Sequence, residues 1–198
     1  IKIMFGLESG SDLQSAIIWE LRFPRVLMAI IGGAALATAG ALMQGCLGNP
    51  LVSPLTLGVA SGAALGAAFA IVLGISIIPS LAIVANAFLF SLVVVGIIIQ
   101  LGNMRSVSAE SYILVGITIT FISGAIVSTF TYFATDAQLS QLTHWSFGSL
   151  SRPSLSNVVW ISAAIICLMP SAMKWAWDLN TLSLGGDDFA ISSGVDPS

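Results

Sequence analysis

The sequence contains very little charge. Of its 198 residues, 8% are charged and 57% are hydrophobic. Because soluble domains carry about 25% charged residues, this composition excludes an ordinary water-soluble domain, and its apolar content excludes intrinsic disorder. The six Lys and Arg residues form no basic patch that could neutralise phosphates, so nucleic-acid binding is excluded as well.

Residues that carry out catalysis are also scarce. Cys46 and Cys167 both lie in apolar runs, which predicts neither a disulfide framework nor a metal cluster. The one histidine, His144, belongs to no zinc-binding or nucleophile motif, and no phosphate-binding loop is present. We therefore expect a protein that is not an enzyme and that binds no metal or cofactor itself. Any ATP would be bound by another chain.

The sequence does contain long stretches without a charged residue, at 26–104, 111–135 and 153–173. A membrane-spanning helix needs about 20 apolar residues, so the last two stretches predict one span each. Turn-forming residues at 48–54 and 74–79 divide the first stretch into three. The sequence therefore predicts an all-α polytopic membrane protein. Its five transmembrane helices are placed at about 26–46, 56–75, 80–101, 109–133 and 155–174.

The two ends of the chain are predicted to lie outside the membrane. Residues 1–25 would lead into the first span, and residues 175–198 would follow the last. Because the number of predicted spans is odd, these two segments would lie on opposite sides. The second segment stops without a closing element, so we expect the chain to be a fragment of a longer membrane protein.

Small residues recur at four-residue spacing in the first two predicted helices. Such spacing lets membrane helices pack closely, and we interpret both sets as packing surfaces. The residues are Gly33, Ala37, Ala41 and Gly45 in the first helix, and Gly58, Gly62 and Gly66 in the second.

Between their ends the predicted spans contain no Asp, Glu, His, Lys or Arg, and Glu110 and Lys174 lie at span ends. This argues against a proton-coupled pump, because such pumps need an ionisable group within the membrane. The fourth span is instead rich in hydroxyl groups. Two interpretations stay open for them: they line a polar pathway, or they bond their own helix backbone four residues earlier. The candidate pathway residues are Thr120, Ser123, Ser128 and Thr131.

Four blocks of sequence together resemble the FecCD-type permease family of ATP-binding-cassette (ABC) importers. These blocks are Leu21-Arg22-Phe23-Pro24-Arg25, then Asn49-Pro50-Leu51 with Leu57-Gly58-Val59, then Trp145 with Gly148-Ser149-Leu150, and finally Leu184-Gly185-Gly186-Asp187-Asp188. The family carries iron-siderophore complexes, haem or cobalamin across the bacterial cytoplasmic (inner) membrane.

The resemblance implies the ABC type II importer fold, with about ten transmembrane helices in the full subunit and roughly helices two to six in this chain. It also implies three protein partners: a second permease copy or a paralogous permease, cytoplasmic ATPase subunits that use ATP and Mg²⁺, and an extracytoplasmic substrate-binding protein. On this template, residues 1–25 face outward and residues 175–198 are the cytoplasmic segment that couples to the ATPase.

Roles can be carried over to matching positions. Arg22 and Arg25 would receive acidic residues of the binding protein, with anchoring at lipid headgroups as the alternative. Ser108, Ala109 and Glu110 would narrow the cytoplasmic exit, and residues 136–150 would form a short outer helix that closes the external side. The residues implied in ATPase coupling are Leu184, Gly185, Gly186, Asp187, Asp188, Ala190, Gly194 and Val195.

Two features depart from the family pattern. The coupling block reads Gly186-Asp187-Asp188 where the family has Gly-Glu-Glu, and Ser193 replaces an apolar residue before Gly194. The predicted outward segments also hold four of the six Lys and Arg residues, the reverse of the usual bias toward the cytoplasm. The alternative function is a secondary carrier or channel that works without an ATPase.

Overall fold

The computed structural model describes residues 12–76, 78–102, 108–150 and 154–194, and these ranges are helical without a strand. The predicted all-α architecture is confirmed. The elements, in chain order, are α1 (Asp12–Ala16), a π-helical segment (Ile17–Arg22), α2 (Phe23–Leu47), α3 (Val59–Val72), a 3₁₀ turn (Pro79–Leu81), α4 (Ala82–Gly102), α5 (Ala109–Phe133), α6 (Asp136–Phe147), α7 (Leu155–Lys174) and α8 (Ala176–Ser192).

Four helical stretches of the described chain are long and apolar enough to cross a membrane: Leu13–Leu47, Ala82–Leu101, Glu110–Phe133 and Leu155–Lys174. The second predicted span, 56–75, is different. It is represented by α3, which has 14 residues and at 1.5 Å per residue is about 21 Å long. The described chain thus holds four full-length candidate spans and one shorter apolar helix.

The short length of α3 follows from the residues at its two ends. Gly58 precedes α3 with a φ of 78°, and Gly74 follows it with a φ of 66°. Both values lie in the left-handed region, which glycine adopts without steric cost. Before Gly58, the hydroxyl groups of Ser53 and Thr56 bond the turn, with the Ser53 amide donating to Thr56 Oγ1 at 2.8 Å. The chain therefore turns at Gly58, where a continuing helix is predicted, and at Gly74, where the predicted turn 74–79 begins.

The first long helix begins earlier than the predicted span at residue 26. The chain is already helical at Asp12, and the π-helical segment joins α1 to α2 without a break. Pro24 explains the wide turn, because it has no amide hydrogen to donate to the carbonyl four residues earlier. The amide of Phe23 donates to the carbonyl of Ile18, five residues back. Residues 12–25 are thus helical and continuous with the first span.

The described helices pack in two groups. In the first, α3 lies against α4, α5 and α6, and in the second, α2 lies against α7 and α8. The close approach of α3 to α4 depends on glycine: a Cβ at Gly62 would lie 2.6 Å from Val94 Cγ2, and one at Gly66 would collide with the backbone oxygen of Asn86. A small apolar core of Ala68, Ile71 and Leu142 joins α3 to α6.

Candidate functional site

The two predicted docking arginines lie at the start of α2. Arg22 is the last residue of the π-helical segment, and Arg25 lies in the first turn of α2. Both side chains are exposed. Arg25 Nε donates a hydrogen bond to the backbone oxygen of Leu150 at 3.0 Å, across 125 positions of sequence. The structure thus ties this end of α2 to the segment that follows α6.

The helix predicted over 136–150 corresponds to α6, which ends at Phe147. Its start is fixed by a capping box, in which Gln138 N donates to Thr135 Oγ1 and Thr135 N donates to Gln138 Oε1 at 3.0 Å. The helix ends at Gly148, whose φ is 69°. Leu142 is buried against α3. The α6 segment, defined here as residues 135–150, is therefore an ordered element held on α3.

Gln138 has a second role that the sequence does not predict, which is to bond the end of α3. Its Nε2 donates to the backbone oxygens of Ile71 at 3.2 Å and Val72 at 3.0 Å, at the carboxyl end of α3. These carbonyls lack partners within their own helix, and Gln138 supplies one. The spacing of Thr135 and Gln138 is a capping-box signature that could have placed the start of α6, but the contact with α3 left no sequence signal.

The opposite end of α2 is folded over a tight turn. Gln44 Nε2 donates to the backbone oxygens of Pro50 at 3.0 Å and Val52 at 3.3 Å. Asn49 Oδ1 accepts from the amide of Leu51 at 2.9 Å, and Val52 is fully buried. The second block of the family resemblance therefore holds this turn in place.

The predicted coupling segment is helical and lies beside the same end of α2. Helix α8 follows α7 after a turn at Trp175, and a Cβ at Gly45 would lie 3.4 Å from Leu179 Cβ. Leu184 is 77% exposed. Leu179 belongs to the family-like block around Leu184, but its contact with α2 cannot be inferred from spacing.

The other predicted coupling residues lie at the end of α8. Gly185, Gly186, Asp187, Asp188 and Ala190 belong to the helix, and Gly194 follows it with a φ of 79°. Val195 lies outside the described residues.

The residues predicted to narrow the exit lie at the start of α5. Ser108 is extended and precedes the helix, which begins at Ala109. Ser108 Oγ lies 3.3 Å from Ser111 Oγ. Glu110 is exposed in the first turn, where its negative charge interacts favourably with the helix dipole. The three residues thus form the amino end of a candidate span.

The four candidate pathway hydroxyls of α5 have different surroundings. Thr120 Oγ1 donates to the Gly116 oxygen at 2.9 Å and accepts from Ser61 Oγ at 3.1 Å. Thr131 Oγ1 donates to the Val127 oxygen at 2.8 Å. Both threonines therefore donate to their own helix backbone, and a threonine hydroxyl that donates can also accept a hydrogen bond. Ser123 is buried and Ser128 is exposed.

The two predicted packing surfaces also have different surroundings. In the second set, Gly62 and Gly66 lie against α4, and a Cβ at Gly58 would lie 2.9 Å from the Gly116 oxygen of α5. In the first set, Gly45 contacts α8. A Cβ at Gly33 would have no neighbour within 4 Å. Ala37 and Ala41 are exposed within the described chain.

Among the described residues, no group of three His, Cys, Asp or Glu side chains is placed to hold a metal ion. The apolar helices instead present contact surfaces at the two ends of α2. Exposed arginines lie at one end, and α8 lies at the other.

Comparison with known proteins identifies relatives. The chain is 38% identical to the hemin transport system permease protein HmuU of Yersinia pestis over 183 residues, which cover 91% of the chain and 55% of that protein. It is 34% identical to the vitamin B12 import system permease protein BtuC of Photorhabdus laumondii, over 88% of the chain and 52% of that protein. The chain thus spans about half the length of these curated relatives.

A solved structure shares the fold. It is an inward-facing conformation of a transporter provisionally assigned to the metal-chelate type of ABC transporter. The TM-score is 0.81 at 26% identity, and the match covers 96% of this chain and 59% of that one. The model of the FecCD transport family matches residues 1–198, the whole of the sequence. The chain belongs to the FecCD transport family.

Proposed function

We propose that this chain is part of the transmembrane permease subunit of an ABC importer, which moves a metal chelate across the bacterial cytoplasmic membrane. The observation that carries the proposal is the family match over residues 1–198. The chelate class rests on the relatives, which are named for hemin and vitamin B12 transport. Iron-siderophore complexes belong to the same class of bulky metal-centred substrates.

The exposed arginine end of α2 is proposed to receive the substrate-binding protein. Arg22 and Arg25 lie within one turn of each other, where the π-helical segment meets α2. Exposed charges of opposite sign on the partner would steer its approach and fix its register. Glutamate or aspartate side chains of the binding protein are therefore the expected contacts.

Helix α8 is proposed to seat on the cytoplasmic ATPase, which would bind ATP and Mg²⁺. Leu184 offers an exposed apolar contact, and Asp187 and Asp188 follow it in the helix. Leu179, on the same helix, lies against Gly45 of α2. A displacement of α8 by the ATPase would therefore also displace the nearby end of α2.

The second permease copy is proposed to complete the pathway. Large apolar side chains on α5, such as Phe121 and Tyr132, are 74% and 83% exposed, and Ser128 and Thr131 lie among them on the same helix. Two such helices facing each other would enclose a neutral conduit, in which hydroxyl groups supply the polar contacts. A neutral lining suits bulky chelates because it binds none of them through a fixed charge.

The test is transport by the complete subunit, assembled with its ATPases in liposomes. We expect uptake of haem, cobalamin or a ferric siderophore that requires both internal ATP and the binding protein. A variant in which Asp187 and Asp188 are both replaced by Lys should lose ATPase binding, whereas Asp136→Lys on α6 is the control and should not. Uptake that proceeds without ATP would favour the secondary carrier and contradict the proposal.

A further inference from the structure

The α6 segment is held to the rest of the chain by hydrogen bonds near both of its ends. Near its start, Gln138 Nε2 donates to the backbone oxygens of Ile71 and Val72 in α3. At its far end, the oxygen of Leu150 accepts from Arg25 Nε of α2. Each anchor consists of a side-chain donor and a backbone acceptor, but the two anchors differ in what else can reach them.

The Gln138 anchor is closed to competitors. Gln138 is only partly exposed, and its Oε1 is already an acceptor for Thr135. The Arg25 anchor is open. Arg25 is exposed, and within the described chain its hydrogen bond to Leu150 is the one polar contact found for it. A guanidinium has five N–H donors, so most of its capacity remains for an incoming group.

A carboxylate is a stronger acceptor for Arg25 than the Leu150 carbonyl. The bond from the Arg25 guanidinium to the Leu150 carbonyl has one charged partner. A carboxylate adds a second charge, and its two oxygens match the paired N–H groups of arginine. One of the paired edges of the guanidinium includes Nε, which is the atom that donates to Leu150. A carboxylate that takes this edge would displace the carbonyl.

We propose that Arg25 is the positioning residue through which docking of the binding protein releases the far end of the α6 segment. Undocked, Arg25 holds Leu150 and so fixes the residues after α6. Docked, an acidic side chain of the partner takes Nε and the adjacent N–H, and the Leu150 anchor opens while the Gln138 anchor remains. Gly148, with its φ of 69° and open space around its Cα, lies between α6 and Leu150 as a point where the backbone can turn.

This inference rests on the proposed docking role of the arginine end, and it assigns different tasks to its two residues. Within the described chain Arg22 has no hydrogen bond to the α6 segment. Arg22 would therefore only attract the binding protein, whereas Arg25 would attract it and also release the far end of the α6 segment.

The test compares Arg25→Lys with Arg22→Lys in the complete transporter, by hydrogen exchange of peptides from residues 136–150. Both variants keep the charge, but lysine lacks the Nε–H donor and the planar fork. Without the binding protein, Arg25→Lys should speed exchange about fivefold, the equivalent of one net hydrogen bond. Arg22→Lys should leave exchange unchanged. Equal exchange in the two variants would overturn the assignment of Arg25 as the anchor.

The second half of the test adds the binding protein. Docking shields the surface from exchange equally in wild type and variant. The difference in exchange between the two therefore does not include this shielding, as in a double-mutant cycle. We expect the Arg25→Lys difference to vanish on docking, because the docked wild type has already lost the anchor. A difference that persists would mean that the carboxylate binds only the outer N–H pair, and would overturn the release.

A third measurement separates this inference from the docking role on which it rests. Arg22→Ala and Arg25→Ala should each weaken binding of the binding protein. If neither weakens it, the docking role fails, while the exchange difference without the binding protein still reports whether Arg25 anchors the α6 segment. If both weaken it and the exchange difference survives docking, docking stands and the release fails.

Discussion

Gln138 of α6 donates a hydrogen bond from Nε2 to the backbone oxygen of Val72, at 3.0 Å. Val72 is the last residue of α3, so this side chain closes the end of a helix that is remote in sequence. The same side chain caps its own helix through Oε1. Gln138 thus fixes both the start of α6 and its position on α3, and the two tasks use different atoms.

The two tasks of Gln138 can be separated by substitution. Gln138→Glu keeps an acceptor for the capping box but cannot donate to the α3 carbonyls. We expect it to destabilise the attachment of α6 by about 1–3 kcal/mol, the cost of leaving buried acceptors unpaired. Hydrogen exchange in α6 checks this. Ser140→Ala, on an exposed position of α6, is the control, and equal effects of the two changes would contradict the assignment.

The approach of α3 to α4 depends on the absence of a side chain at Gly66. Gly66→Ala would place a Cβ against the backbone oxygen of Asn86. A backbone atom, unlike the end of a flexible side chain, cannot move aside by a change of rotamer. Overpacking of this kind costs about 1–3 kcal/mol, so the melting temperature of the purified protein should fall.

Gly96→Ala is the matched control for Gly66→Ala. It lies on α4, where a Cβ would meet no described atom within 4 Å. We expect Gly96→Ala to leave the melting temperature unchanged or to raise it slightly, because alanine favours the helix. A drop as large as that of Gly66→Ala would contradict the assignment of the Gly66 effect to its contact with Asn86, because alanine itself favours the helix.

Two leucines of α8 should give opposite results. Leu179 lies against Gly45, so Leu179→Ala should weaken the packing of α8 on α2 by about 2 kcal/mol or more. The fall should be seen in thermal stability, and binding of the ATPase should be unchanged. Leu184 is 77% exposed, so Leu184→Ala should leave stability unchanged and reduce co-purification of the ATPase. If Leu184→Ala leaves co-purification of the ATPase unchanged, the proposed coupling role of α8 is contradicted.

Binding at the arginine end should depend on salt. Arg22→Ala removes one exposed charge, and exposed ion pairs contribute about 0.2–1 kcal/mol, so affinity for the binding protein should fall by up to about fivefold. The effect should shrink at 1 M salt, where charges are screened beyond about 3 Å. Titration of the binding protein at low and high salt measures it, and a salt-independent loss would indicate a packing role for Arg22.

The helical spans of this protein could be predicted because charge marks their ends. Helices α5 and α7 occupy the predicted bounds of the fourth and fifth spans, 109–133 and 155–174. The start of the first helix could not be placed in this way, since Glu20, Arg22 and Arg25 interrupt the apolar pattern while the backbone stays helical. Local composition reports burial in lipid, and a helix can extend beyond the lipid.

The contacts that organise the candidate site could not be predicted. The bond between Arg25 and Leu150 joins positions 125 residues apart, and its acceptor is a backbone atom that every residue type possesses. Only the donors left a trace in sequence: the arginine block and the Thr135–Gln138 spacing. Family resemblance singled out Arg25 for a partner outside the chain, and the structure adds a partner within it.

The shortness of α3 has a consequence for the membrane around it. Its length of about 21 Å is less than the hydrocarbon thickness of about 30 Å, so a chain that crosses the membrane at α3 needs irregular backbone for the rest of the distance. Irregular backbone persists at membrane depth only where protein groups satisfy its polar atoms. Gln138 serves this need at one end, and Ser53, Thr56 and Gln44 serve it at the other. These side chains replace the missing solvent for the backbone at the ends of α3.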